Sequence, residues 1–89
     1  MTKAEAVDLL NRMEANAFFF DGFEDAIIGV GRQFTKEPVI VYDREKCIQI
    51  LIDRDGMDRE GAEEFFSVNT EGSWIGEQTP IVVETGSEA

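Results

Sequence analysis

Histidine is absent from this chain of 89 residues, and its absence excludes several functions. Without it there is no Ser-His or Cys-His catalytic pair, no imidazole metal ligand, and no side chain whose unperturbed charge changes between pH 5 and 8. Cysteine occurs once, at Cys47, so an internal disulfide is excluded too. No apolar run approaches the roughly 20 residues that span a membrane, and no charged leader precedes an apolar segment. These absences predict a cytoplasmic protein without membrane contact.

Basic residues are scarce as well. Eight Lys and Arg stand against 19 Asp and Glu, which gives a net charge of -11. No base follows Arg59, whereas seven acids do: Glu60, Glu63, Glu64, Glu71, Glu77, Glu84 and Glu88. This charge repels phosphates, so the chain is not expected to bind nucleic acid directly. The acidic last third is either a solvated helix face or a surface shaped for a basic partner, nucleic-acid mimicry included.

The hydrophobic content of 43% is enough for one compact core. A capping box at Thr2 and Glu5 predicts a helix over residues 3–16. The three phenylalanines that follow are expected to leave the helix and fill the core from a loop. Residues 26–34 and 37–42 then read as a β-hairpin. Gly29 and Gly31 share one strand face, which predicts a closely packed neighbour over both; a ligand there is the alternative.

The second half of the chain predicts two helices and a strand. Asp43 and Gly56 are typical of the N-cap and C-cap of a buried helix, and Asp58 of the N-cap of the next. In that second helix four residues are expected to share the buried face: Ala62, Phe65, Phe66 and Asn69. Residues 81–84 read as the last strand. We therefore expect an α+β fold over residues 1–84, ordered α-β-β-α-α-β, with a three-stranded, mainly antiparallel sheet, helices on one face, and a flexible polar tail at 85–89.

No constellation predicts a catalytic or metal site. Residues 53–64 resemble a calcium loop, but the glycine falls at position four instead of six and Met57 occupies a ligand position. Glu60, Glu63 and Glu64 could hold Mg²⁺, yet no second carboxylate motif follows. Cys47 lies beside Lys46 near a helix N-terminus, as reactive thiols do, while its apolar neighbours favour a buried structural role. We expect no cofactor and no bound metal.

Several segments together resemble a known family. They are residues 21–30, 41–43, 46–48, 55–57 and 76–81, with Glu63, Phe65, Phe66 and Asn69 between them. The pattern is similar to small acidic proteins of unknown function in tailed phages, cyanophages among them, and in some bacteria. Those proteins tend to carry aspartate where this chain has Glu24 and tyrosine where it has Trp74. The resemblance implies a phage origin and a role in engaging host machinery, and it implies no catalytic residue.

Three classes of function are compatible with these observations. The first is a module that binds a host macromolecule, with a protein as partner. The second is a homo-oligomeric or small-ligand-binding module, and the third is an enzyme based on carboxylates and Mg²⁺. The expected binding residues lie in two segments, at Asp21, Glu24 and Asp25 and at Trp74, Glu77 and Thr79. Trp74 is expected to be partly exposed, because an aromatic on an irregular segment between glycines is typical of recognition sites.

Overall fold

A computed structural model describes residues 1–86 of the chain. Its helices are α1 (Lys3–Arg12), α2 (Arg44–Asp55) and α3 (Arg59–Phe66), and its strands are β1 (Ile27–Gly31), β2 (Val39–Asp43) and β3 (Ile81–Val83). A single 3₁₀ turn, Glu24–Ala26, precedes β1, and a π-helical turn, Ser67–Glu71, continues α3. The α+β class and the order α-β-β-α-α-β are confirmed. Residues 87–89 of the expected tail lie outside the described part.

The sheet is mixed, with the strand order β1-β2-β3. β1 and β2 form the predicted antiparallel hairpin, whereas β3 runs parallel to β2. The expectation of a mainly antiparallel sheet is therefore met in only one of the two strand pairs. The cause is the connection between β2 and β3, which contains both α2 and α3. Parallel strands need such a long crossover, and here it returns the chain to the end of the sheet where β2 began.

α1 begins as predicted and ends earlier. The Thr2 hydroxyl accepts a hydrogen bond from the Glu5 amide, and the Glu5 carboxylate accepts one from the Thr2 amide. The helix ends at Arg12 instead of residue 16, because Glu14 adopts a left-handed φ of 55° that no helix continues through. The three phenylalanines after the helix were expected to fill the core. Phe19 and Phe20 do pack against it, whereas Phe18 is exposed.

The caps of α2 and α3 are those predicted. The Asp43 carboxylate accepts hydrogen bonds from the first turn of α2, Gly56 ends that helix at a φ of 72°, and the Asp58 carboxylate caps α3 through the Gly61 amide. The predicted buried face of α3 is only half right. Ala62 and Phe66 are completely buried, whereas Phe65 and Asn69 are exposed. Adjacent positions on a helix diverge by about 100°, so Phe65 cannot follow Phe66 inward.

One face of the sheet and the helices enclose the core. The sheet contributes the residues Ile27, Val30, Ile40, Tyr42 and Val82, and the helices contribute Ala6, Leu10, Cys47, Ile48, Leu51, Ala62 and Phe66. A β-bulge at Ile28 breaks the alternation of β1, so Ile27 and Val30 both point inward although they are three residues apart. Both hairpin strands are shorter than predicted, at five residues each. Within the described residues, no helix is long and apolar enough to cross a membrane.

In the part of the chain that the structure describes, the core helices pack on the sheet face that carries Ile40 and Tyr42, and the opposite face lies away from that core. The strand registers place six apolar residues on it: Gly29, Gly31, Val39, Val41, Ile81 and Val83. We call this surface the open sheet face. A Cβ at Gly31 would lie 2.9 Å from the Val41 side chain, so that glycine allows close packing between neighbouring strands. Nothing lies within 4 Å of a Cβ at Gly29, so the predicted cover over both glycines is wrong there.

Candidate functional site

A cleft of about 440 Å³ opens on this face, at the hairpin end of the sheet. Gly31, Val39 and Ile81 are its apolar strand residues, and Trp74 lines it from the segment that leads to β3. Polar residues complete the lining: Arg32, Gln33, Lys36, Glu37, Glu77 and Thr79. We call it the Trp74 cleft. It brings together Trp74, Glu77 and Thr79, three of the six residues that the sequence predicts as binding residues.

Trp74 is exposed over 71% of its surface, as predicted. Its neighbour Ile75 and the strand residue Ile81 are about half exposed. Tryptophan is a large amphipathic side chain that is enriched at the energetic centres of protein interfaces. Its place in a contact surface stays a prediction, but its exposure beside an apolar cleft is what such a surface requires.

Hydrogen bonds hold the segment that presents Trp74. On its N-terminal side, the Ser73 hydroxyl donates to the Thr70 carbonyl at 2.7 Å. On its C-terminal side, the Thr79 hydroxyl accepts from the Ile75 amide at 2.8 Å and donates to the Gly76 carbonyl at 2.7 Å. Thr79 thus acts as a positioning residue. Because the loop is braced on both sides, a partner that binds Trp74 need not order it first, which lowers the entropic cost of binding.

The charges around the Trp74 cleft are balanced. Lys36 and Glu77 form an exposed ion pair at 3.3 Å, which links the hairpin loop to the 74–79 segment. Arg32 and Glu37 also line the cleft, and within residues 1–86 neither side chain has an ion pair or a side-chain hydrogen bond. The four charges sum to zero. The cleft is therefore net neutral on a chain whose net charge is -11.

The other three predicted binding residues lie elsewhere. Glu24 and Asp25 belong to the 3₁₀ turn that packs on α2, Asp21 precedes that turn, and none of the three lines the Trp74 cleft. The Arg54 guanidinium donates to the Gly22 carbonyl at 2.8 Å and so ties this loop to the end of α2. Hydrogen bonds from its own amide and the Gly22 amide lower the pKa of Glu24. The six predicted binding residues therefore lie on two separate surfaces.

A second, charged cleft of about 780 Å³ lies where α2 and α3 begin. Arg59 donates to Glu45 and to Glu63, and Arg44 donates to Glu71 at 3.1 Å. The hydrogen bonds from Arg59 lower the pKa of Glu45. Both arginines of this cleft are neutralised by carboxylates, so it offers no unpaired cation to an anionic ligand.

Cys47 does not have the environment of a nucleophile. Its side chain is completely buried, and burial raises the pKa of its thiol to about 12. Reactive cysteines instead have depressed pKa values and partial exposure. Within residues 1–86, no three Asp, Glu or Cys side chains are grouped so that they could hold a metal ion.

Sequence reasoning missed two features of this surface. Phe34, at the tip of the hairpin, is 93% exposed, and the open sheet face continues the cleft along the strands. A signal for the second feature is present in the sequence. Residues 39–41 and 81–83 are uninterrupted apolar runs, a pattern typical of strands covered on both faces, although the helices cover only one.

Comparison with family models, with curated proteins and with solved structures gives no significant match to this chain.

Proposed function

We propose that this chain is a small acidic protein-interaction module whose binding surface is the Trp74 cleft with the adjoining open sheet face. The observation that carries the proposal is the 71% exposure of Trp74 on a braced segment beside an apolar cleft. Burying a tryptophan side chain removes on the order of 150–250 Å² of surface from water, which makes it a strong anchor. The partner is a protein, because the charge of -11 disfavours nucleic acid and anionic membrane.

Binding of a small ligand is supported less well. The volume of the cleft falls within the roughly 300–1,000 Å³ of ligand pockets. Such pockets enclose about 70–90% of a ligand, however, and a tryptophan as exposed as Trp74 cannot enclose one. An enzymatic role based on carboxylates and Mg²⁺ has still less support, because within residues 1–86 no three Asp, Glu or Cys side chains are grouped so that they could hold a metal ion.

The resemblance to small acidic phage proteins favours a host protein as the partner, and the single cysteine favours a cytoplasmic location. Both belong to the proposal. A host partner with a basic surface would be attracted by the carboxylates that follow Arg59, and the apolar contact at Trp74 would then hold it.

Site-specific photo-cross-linking in host lysate tests the proposal. A photoreactive phenylalanine analogue replaces Ile75, which adjoins Trp74, and in the matched control it replaces Val68, which is 69% exposed on the π-helical turn. Both positions are solvent-accessible, so neither replacement disturbs the core. We expect a discrete protein adduct from position 75 that is absent from position 68 and is lost when Trp74→Ala is added. Equal labelling from both positions, or none, contradicts the proposal.

A further inference from the structure

The hairpin tip next to the Trp74 cleft combines an exposed aromatic side chain with two cationic residues close to it in the chain. Phe34 is 93% exposed, the highest value among the large apolar residues that are exposed in the described part. It lies between Arg32 and Lys36, and residues 32–36 contain two bases and no acid, although acids outnumber bases by 19 to 8 overall. At protein interfaces, exposed aromatic side chains of this kind commonly insert into a pocket of the partner.

We propose that a second copy of this chain occupies the Trp74 cleft, in a two-fold dimer in which the Phe34 ring of each copy inserts beside Trp74 of the other. This inference rests on the proposed function, since it takes the cleft to be a protein-binding surface and names its occupant in the isolated chain. A two-fold interface uses the same patch on both copies. The patch here contains both an anchor and a receiving cleft, because Arg32 and Lys36 on either side of Phe34 line that cleft.

Charge complementarity supports a second copy at this surface. Two chains that each carry -11 repel one another wherever their acidic surfaces meet. The Trp74 cleft is net neutral, so two copies that meet there bring no additional like charges together, and only the longer-range repulsion between the two chains remains. In addition, Arg32 is the only one of the five arginines without an ion pair within residues 1–86. Across a two-fold axis, Arg32 of each copy faces Glu37 of the other, which is equally unpaired.

The available area agrees with a weak dimer. Phe34 and Trp74 together offer on the order of 300–500 Å² per copy. A specific interface begins at about 600 Å² per partner, and the exposed residues Ile75 and Ile81 add to the area of the two aromatics. For an interface at the low end of the size range we expect a dissociation constant that is micromolar or higher, so the fraction of dimer depends on the chain concentration.

Sedimentation equilibrium of the purified chain tests the dimer. We expect the mass to rise from 10.0 kDa toward twice that value between about 10 μM and 1 mM chain. Phe34→Ser and Trp74→Ala should each raise the dissociation constant at least tenfold, and the double variant should be monomeric. Val68→Ser removes an exposed apolar side chain elsewhere on the surface, and it should change the dissociation constant by less than twofold. As Phe34 is almost entirely in solvent, its substitution does not impair folding, and the circular dichroism spectrum checks this.

Salt gives an independent readout with a definite sign. Screening reduces the repulsion between two chains of -11, so 0.5 M NaCl should tighten the dimer relative to 0.05 M, whereas it would weaken binding of a basic partner. A chain that stays at 10.0 kDa up to 1 mM overturns the inference, as does a dimer that Phe34→Ser leaves unchanged. If the chain is monomeric while position 75 still cross-links a different protein, the dimer is wrong and the proposed function stands. If the chain is monomeric and position 75 also cross-links no protein, both the dimer and the proposed function are wrong.

Discussion

The Tyr42 hydroxyl accepts a hydrogen bond of 2.8 Å from the Phe20 backbone amide. Tyr42 is completely buried in β2, and its ring lies 5.0 Å from the Phe20 ring, centroid to centroid. One side chain of the central strand thus satisfies a backbone donor of the loop between α1 and β1 and packs on the same residue. This contact fixes the path of an otherwise irregular segment across the core.

Tyr42→Phe tests that contact, because it removes the hydroxyl and keeps the ring. We expect the free energy of unfolding to fall by about 1–3 kcal/mol, the cost of leaving a partly buried amide without its acceptor. Urea unfolding followed by circular dichroism measures the change. An unchanged denaturant slope is the control that both proteins unfold alike, and a loss below about 0.5 kcal/mol would show that water replaces the hydroxyl.

Alkaline pH should destabilise the fold. Burial raises the pKa of Cys47 from 9.0 to about 12 and that of Tyr42 from 10.0 to about 12. The unfolded chain therefore releases both protons at a lower pH than the folded chain, so stability is complete below about pH 9 and declines as pH rises toward 12. Each group contributes at most about 1.4 kcal/mol per pH unit within its window.

Urea midpoints from pH 6 to pH 11 measure this dependence. With no histidine, little change is expected between pH 6 and 8. Cys47→Ala should flatten the decline that begins near pH 9, even though the cavity lowers stability at every pH. A steep transition between pH 6 and 8 would instead reveal a strongly shifted carboxyl group or thiol and would revive the enzyme hypothesis.

Added salt should stabilise the folded chain. The chain has 19 acidic and eight basic residues, so the excess carboxylates repel one another in the folded state. At about 0.5 M salt the Debye length falls to roughly 4–5 Å, which is below most distances between exposed carboxylates, so this repulsion is screened. We expect the melting temperature to rise between 0.05 and 0.5 M NaCl. Measurement at 10 μM chain or below keeps self-association out of the result. A melting temperature that does not respond would mean that the ion pairs already offset the repulsion.

Trp74 should behave as a surface residue at low chain concentration. We expect a red-shifted fluorescence maximum that acrylamide quenches readily, because 71% of the side chain is exposed. Trp74→Ala should cost less than about 1 kcal/mol of stability, whereas Phe66→Ala, the matched change at a fully buried aromatic, should cost about 3–5 kcal/mol. Blue-shifted emission that resists quenching would contradict the exposed position.

Local signals in the sequence determined the elements of this protein. The helix ends are marked by capping residues: Thr2 with Glu5, Asp43, Gly56 and Asp58. Each of them acts on backbone atoms within a few residues of itself, so its effect can be predicted from the local sequence alone. The α+β class followed from the order of these elements. The composition determined the charge, the absence of imidazole chemistry and the exclusion of an internal disulfide.

Tertiary structure alone decided how the elements meet. The parallel course of β3 depends on the path of the crossover, and the bulge at Ile28 places Ile27 and Val30 on one face against the alternation of β1. The separation of Asp21 from Trp74 likewise arises from contacts between residues distant in the chain. Local propensity carries no information about such pairings, because the free energy that selects them comes from burial in the shared core.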